Sequence, residues 1–301
     1  MNDTTKIGIY HKNCNDGNAA AAVLLRKFPD IKLFPLVHSH TQEDVAHIHK
    51  VAGEGNEIYF VDFAVGVEEF LDKGHEITVL DHHISVKESV EKLADENDKL
   101  TYIFDNDKSG ASLAWSYFFP DEKESEIIKY VEDSDLWTGK YEDTKYVTSF
   151  LSTNADTPEK MLAFIENGDI EEIKERGKII TDYSDVQINR LVEGVESINL
   201  KVGELVVPAY NITSGQYVSV VGNKLATLHG KTAIMFSIKS HSVKFSIRSL
   251  DGQEPNALGF AKMLGGGGHE NSAGAEVPLE DFLKMIVIYM FVDELTIHVK
   301  A

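Results

Sequence analysis

The tripeptide Asp81-His82-His83 has the residue types of a metal or phosphate site, and its position supports that use. It follows the apolar run 77–80, which reads as a buried strand. Its side chains therefore leave the carboxyl end of a strand, where open α/β sheets place their ligands. Adjacent histidines on a loop point in different directions. One can ligate a metal while the other meets an anion, with the aspartate orienting them. His11 ends a second apolar run at 6–10, with Asp16 close behind it, and Asp62 ends a third at 58–61. A helical stretch from about residue 123 leads into Asp133 and Asp135, either of which can complete the set. Imidazole and carboxylate together suit manganese, iron, zinc or magnesium. A carboxylate-rich set of this kind can hold two cations about 3.5–4 Å apart, the arrangement that clamps a phosphoryl group and activates water.

Such residues need a frame that carries them to one edge. Up to about residue 120 the pattern alternates between strands, at 6–10, 31–37, 57–62, 76–80 and 100–104, and helices such as 18–28. That alternation predicts an α/β fold with a mainly parallel sheet covered on both faces. From about 109 to 199 the pattern turns helical. Ser109 reads as one N-cap, and Thr157 before Pro158 as another. The stretch 171–195 has few breakers and reads as a helical linker. Short strands are predicted beyond it at 205–207, 218–221, 233–238 and 243–247. The expected organisation is an N-terminal catalytic domain at 1–185, a linker reaching about 200, and a smaller mixed α/β domain at 201–301, with the active site in the cleft between. Trp115 and Trp137 are expected in cores, Cys14 as a packed free thiol, and His38 and His40 in a solvated loop. The apolar segment 282–292 is too short to span a bilayer and reads as part of the second core.

Taken in order, the motifs resemble those of DHH-family phosphoesterases. The matching pieces are His11-Lys-Asn-Cys-Asn-Asp16-Gly17, Val61-Asp62-Phe63, Asp81-His82-His83 and Asp133-Ser-Asp135-Leu-Trp137. Gly265-Gly-Gly-Gly268-His269, followed by Ala273-Gly274, is similar to the glycine-rich His motif of the family's companion C-terminal substrate domain. Phe245-Ser-Ile-Arg248-Ser249 is similar to that domain's strand whose arginine faces the substrate. The resemblance covers nearly the whole chain. It implies metal ligands His11, Asp16, Asp62, His82 and Asp133, with Asp133 favoured over Asp135 by the place of the family's final aspartate. It implies catalytic or phosphate-contacting roles for His83, Asp81, Arg248 and His269, and substrate binding by Arg248, Gly266, Gly267, Gly268 and His269. Two divalent ions, Mn2+ foremost, are the implied cofactors. One departure stands out. The commonest family pattern follows its His with two aspartates at alternate positions, whereas Asn13, Cys14 and Asn15 intervene here and only Asp16 is acidic. An amide oxygen ligates without charge, so one ion is expected to bind more weakly.

The implied activity is metal-assisted hydrolysis of phosphodiester or phosphomonoester bonds in small nucleotides, either short oligoribonucleotides or nucleotide bisphosphates. An inorganic pyro- or polyphosphatase and a metal-poor nucleotide binder are the alternatives. Bulk properties bound the partners. A net charge of −20 argues against long duplex nucleic acid. The window 222–269 nevertheless carries six cations against two anions, a candidate anion-receiving face. One cysteine excludes an internal disulfide framework and fits a reducing compartment. The N-terminus has no signal-like apolar region, so a cytoplasmic enzyme without membrane association is expected, with a homodimer left open. The glycine run is not a nucleoside-triphosphate loop, because no Gly-Lys-Ser/Thr follows.

Overall fold

The computed structural model describes residues 4–37 and 40–287. His38 of the predicted histidine pair, and the end of the apolar segment 282–292, lie outside the described residues. The chain divides into two compact units, Met1–Asp182 and Tyr183–Ala301.

The first unit opens with five strand–helix alternations, close to the predicted boundaries. Strand β1 (Lys6–His11) leads to helix α1 (Asn15–Lys27), β2 (Lys32–Leu36) to α2 (Gln42–Ala52), and β3 (Glu57–Val61) to α3 (Val67–Asp72). Then β4 (Glu76–Asp81) leads to α4 (Ile84–Glu96), and β5 (Leu100–Phe104) to α5 (Gly110–Phe118). All five strands are parallel, in the order β2-β1-β3-β4-β5. Alternate strand residues serve opposite cores, as the pleat requires. Ile7, Ile9, Ile58, Phe60, Ile77 and Val79 pack with residues of α2, α3 and α4. Tyr10, Tyr59, Val61 and Leu80 pack with α1 and α5. The run Ala19–Ala22 is fully buried, and its small side chains let α1 lie close to the sheet. Three more helices extend that second core: α6 (Glu126–Asp135), α7 (Thr144–Asn154) and α8 (Pro158–Asn167). Ser109 and Thr157 cap α5 and α8 through their side chains, as their positions predict. Helix α9 (Ile170–Gly194) contains the division between the units. Among the described residues no helix is long and apolar enough to cross a membrane.

The second unit is a mixed sheet. Its elements are β6 (Ser197–Val202), β7 (Leu205–Asn211), α10 (Val218–His229), β8 (Ala233–Ile238), β9 (Ser242–Arg248) and α11 (Ala257–Met263). They continue with β10 (Gly267–His269), β11 (Ser272–Pro278), α12 (Leu279–Met285) and β12 (Ile286–Val287). The strand order is β10-β11-β9-β8-β7-β6-β12, with only β7–β8 parallel among the described pairs. One expectation changes here. Residues 218–221 form the first turn of α10 rather than a strand. Val221 and Leu225 recur four apart and are both buried, so the helical period running beyond 221 overrides the local β-branched run. The glycine-rich His motif, a substrate-binding segment by resemblance, contributes a short edge strand at 267–269. Phe282 does enter the second core, as expected.

Candidate metal centre

β1 and β3 are neighbours, but the chain leaves β1 for β2 on one side and β3 for β4 on the other. Their carboxyl ends therefore bound the crevice that forms where strand order reverses, the usual ligand site of such sheets. His11 ends β1, Asp62 follows β3, and Asp81-His82-His83 spans the end of β4. Gly17 holds α1 against this edge, since a Cβ there would come within 2.0 Å of the His11 carbonyl oxygen.

Asp62 sits at the centre. Its backbone turns left-handed at φ 55, a conformation aspartate tolerates better than most residues, while its N–H still donates to the Leu80 carbonyl at 3.0 Å. Oδ1 lies 3.1 Å from His82 Nε2, and Oδ2 lies 3.7 Å from His11 Nδ1. Burial pushes this carboxyl up, but the bonds to His11 and His82 and the nearby His83 outweigh it and hold Asp62 at about 2. Oδ2 is buried and has no hydrogen-bond partner among the described residues. A buried carboxylate oxygen left over in this way beside a set of ligand atoms is the expected state of an oxygen shaped for a cation.

On the Oδ1 side stand two further carboxylates. Asp16 Oδ2 is 3.9 Å from His82 Nε2, and Asp135 Oδ2 is 3.5 Å from it. Asp16 also accepts from the backbone N–H groups of Gly110 at 2.6 Å and Ala111 at 3.0 Å, so the N-terminus of α5 faces this anion. Burial, then Asp62 and Asp135, push the Asp16 carboxyl up; burial and Asp62 do the same to Asp135. Carboxylates that crowd and repel in this way are relieved by a bound cation. His11, Cys14 and Asp62 place ligand atoms within 4.8 Å of one another, as do Asp16, His82 and Asp135 in a neighbouring group. Burial, followed by the Asp62 and Asp16 charges, pushes the Cys14 thiol up. Asp62 thus offers one oxygen to each side, and the donor set fits two adjacent divalent ions.

Asp81 and His83 complete the edge in another way. Asp81 Oδ1 accepts from the backbone N–H groups of His82 and His83 and lies 2.7 Å from His83 Nδ1. That bond outweighs burial and pushes His83 up to about 9. Asp81 orients His83, whose ring nitrogen lies with ligand atoms of Asp62 and His82 within 4.8 Å of one another.

Asp133 is a correction. The structure brings Asp135, not Asp133, to the cluster, because residues two apart on α6 face different ways. Asp133 instead organises the following segment. It accepts from Thr138 and Thr144 hydroxyls and from the backbone N–H groups of Lys140 and Tyr141. Burial pushes its carboxyl up, but these donors prevail and hold it at about 2, against an ordinary 3.8. A group depressed on folding stabilises fully above its unfolded value and loses that contribution as pH falls through its folded value. Asp133→Asn should therefore cost about 2 kcal/mol at neutral pH, the scale of hydrogen bonds to a charged group. Its deficit against the parent should shrink between about pH 4 and 2. Denaturant melts across that range check this, and a constant deficit would refute the role.

Trp137 is a second correction. It is 87% exposed rather than in a core, whereas Trp115 is buried as expected. The Thr138 N–H bonds back to the Asp133 carbonyl, closing α6 in the manner that puts the intervening residue left-handed. Trp137 holds that place at φ 54, where glycine is usual.

The sequence-predicted residues of the second unit are placed as follows. Arg248 ends β9, donating to the Ser219 hydroxyl at 2.7 Å and to the Ile247 carbonyl at 2.8 Å. Gly222 of α10 passes so near that a Cβ would lie 2.8 Å from Arg248 Cγ. Gly266 and Gly268 pack on β11, where a Cβ would meet the Gly274 carbonyl oxygen at 2.1 Å and Ala273 Cα at 2.6 Å, respectively. Their small size serves this close approach. Gly267 and exposed His269 lie on β10, whose outer edge is unpaired among the described strands.

Two residues beside the cluster escaped sequence reasoning, Cys14 and Gly110, and Asp135 was the less favoured of two candidate aspartates. A Cβ on Gly110 would lie 2.4 Å from Asp62 Cβ and 3.0 Å from Asp16 Oδ2. The one local signal was a glycine directly after an N-cap serine, opening a helix.

Over 291 residues the chain is 22% identical to uncharacterized protein R106 of Acanthamoeba polyphaga mimivirus, covering 90% of this chain and 67% of that protein. The fold is similar to that of exonuclease RecJ bound to manganese, with TM-score 0.56 and 13% identity over 94% of this chain and 89% of that one. It is also similar to that of PggH, a pGpG-specific phosphodiesterase from Vibrio cholerae, with TM-score 0.51 and 13% identity over 93% of this chain and 96% of that one. At such identity these likenesses speak for the fold. Residues 184–290, in contrast, match the DHHA1 domain. That match falls on the unit carrying the Arg248 strand and the glycine-rich His motif, so residues 184–290 of the chain form a DHHA1 domain.

Proposed function

We propose that the protein is a metal-dependent phosphoesterase acting on small nucleotides, with short oligoribonucleotides of about two to five residues and nucleotide bisphosphates as its substrates. The observation that carries this reading is the shared carboxylate of Asp62, which is buried, charged and turned with one oxygen toward each of two His/acid groups. His11 and Cys14 on one side, Asp16, His82 and Asp135 on the other, would hold the ions. Divalent ions bound there supply Lewis-acid charge neutralisation of a phosphoryl group and acidify water. The chain's own contribution is positioning. His83, fixed by Asp81, binds a phosphate oxygen. The DHHA1 domain carries nucleotide-binding groups of its own in Arg248, His269 and the Gly266–Gly268 backbone. The relatives named above include an exonuclease and a phosphodiesterase specific for a dinucleotide, which supports this substrate class.

Trp137 fits the same reading. An exposed indole two residues past Asp135, held in a conformation that costs about 1–2 kcal/mol, is a strained feature with no packing reward. A base stacked on it would gain about 1–3 kcal/mol. Trp137→Gly should raise the melting temperature, because glycine suits that turn, and raise KM for dinucleotides about tenfold or more. A lower melting temperature with unchanged KM would remove Trp137 from substrate binding.

The test of the function is a parallel assay with manganese. The substrates are a dinucleotide, adenosine 3′,5′-bisphosphate, a cyclic dinucleotide, tripolyphosphate, and single-stranded RNA of increasing length at two salt concentrations. Hydrolysis concentrated on the shortest nucleotides, with weak salt inhibition, is expected, because few phosphates are neutralised. Preference for tripolyphosphate would overturn the nucleotide reading. Activity rising with RNA length and falling steeply with salt would indicate a processive nuclease instead.

A further inference from the structure

The first motif lacks the acid that the commonest family pattern carries between its His and its last aspartate, and the structure shows what stands there. Asn15 does not reach the cluster; its amide donates to the Thr148 carbonyl at 3.2 Å and to the Ser152 hydroxyl at 3.1 Å. Cys14 does reach it. Its sulfur, a His11 ring nitrogen and an Asp62 carboxylate oxygen lie within 4.8 Å of one another. An independent observation points to a ligand at the same spot: Asp62 is 1% exposed, and its Oδ2, the oxygen turned to His11, has no hydrogen-bond partner among the described residues.

From this geometry we infer that Cys14 is a metal ligand, and that the His11/Cys14/Asp62 subsite takes a thiophilic divalent ion such as zinc, whereas the Asp16/His82/Asp135 subsite keeps only oxygen and nitrogen donors. The inference rests on the metal-centre reading above and deepens it. Soft thiolate with imidazole selects zinc or iron, while carboxylates with one imidazole accept manganese or magnesium. As the sulfur–metal bond forms, the thiol proton passes to solvent, so the ion's charge is met by one thiolate and the Asp62 carboxylate. The centre is then mixed, with one tightly held soft ion and one exchangeable hard ion.

The chain has one cysteine, so a thiolate signal reports Cys14 alone. Cobalt(II) is titrated into the metal-free full chain, and the near-ultraviolet thiolate-to-cobalt charge-transfer band is followed alongside bound-metal stoichiometry. Zinc affinity is then measured by competition for the parent, Cys14→Ser and Cys14→Asp. Both variants should fold. Cys14 is the N-cap of α1, with extended backbone and no side-chain cap bond, and Ser and Asp are preferred at that position. The expected result is a charge-transfer band in the parent that is absent in both variants. Zinc affinity should fall about a hundredfold or more in Cys14→Ser, since loss of mere outer partners already costs about 10–100-fold. Cys14→Asp should shift preference from zinc toward manganese. Cobalt bound at full stoichiometry without the band, or equal zinc affinity in parent and Cys14→Ser, would overturn the thiolate ligand and leave the metal centre standing. A parent that binds no metal at all would overturn both.

Discussion

Asp62→Asn should lower manganese-dependent turnover about a thousandfold while the protein stays folded. Asparagine keeps the shape and tolerates the left-handed backbone at φ 55, so the substitution removes charge rather than structure. The charge is what the site uses. Asp62 is held ionised at about 2 by His11 and His82 against the pull of burial, and it presents one oxygen to each ligand group. Halving that interaction weakens both metal positions together, and metal catalysis supplies several kcal/mol, with each 1.36 kcal/mol worth tenfold in rate. Metal stoichiometry should fall with turnover, and circular dichroism should be unchanged. A variant that retains both metal and turnover would show that Asp62 is not the shared ligand.

Gly110→Ala should damage both stability and activity although it adds one methyl group remote in sequence from every ligand. That methyl would sit 2.4 Å from Asp62 Cβ and 3.0 Å from Asp16 Oδ2, far inside contact distance. Helix α5 must then retreat, and the Gly110 and Ala111 N–H groups lose their hold on Asp16. Overpacking of this kind costs about 1–3 kcal/mol. The displaced aspartates should also weaken metal binding, so turnover should fall by at least about a hundredfold, in line with the 10²-fold penalty for a misplacement of about 1 Å. Thermal melts and metal titration of the same preparation separate the two effects. A variant that melts and turns over like the parent would mean that α5 does not position the acids.

The sequence alone determined the frame and the strand-end candidate residues of this protein. Strand and helix periodicity is local, so the alternating runs announced a parallel sheet. Residues ending those runs, His11, Asp62, Asp81, His82 and His83, had to emerge at one edge of it. The caps at Ser109 and Thr157 were equally local and equally legible. The short run 218–221 misled because four β-branched or small residues fit either period, and only the buried face of α10 decides between them. Tertiary structure decided the rest. Asp133 and Asp135 are alike in type and neighbourhood, and which one reaches His82 depends on the face that α6 turns to the sheet. Gly110 approaches Asp16 across 94 residues of chain, a proximity that no local pattern encodes. Cys14 reads as an ordinary packed thiol until His11 and Asp62 stand beside it. Trp137 reads as core until the turn that ends α6 leaves it in solvent. Periodicity is carried by neighbours along the chain, whereas a ligand set is a coincidence in space of residues far apart in it, and packing alone brings them together.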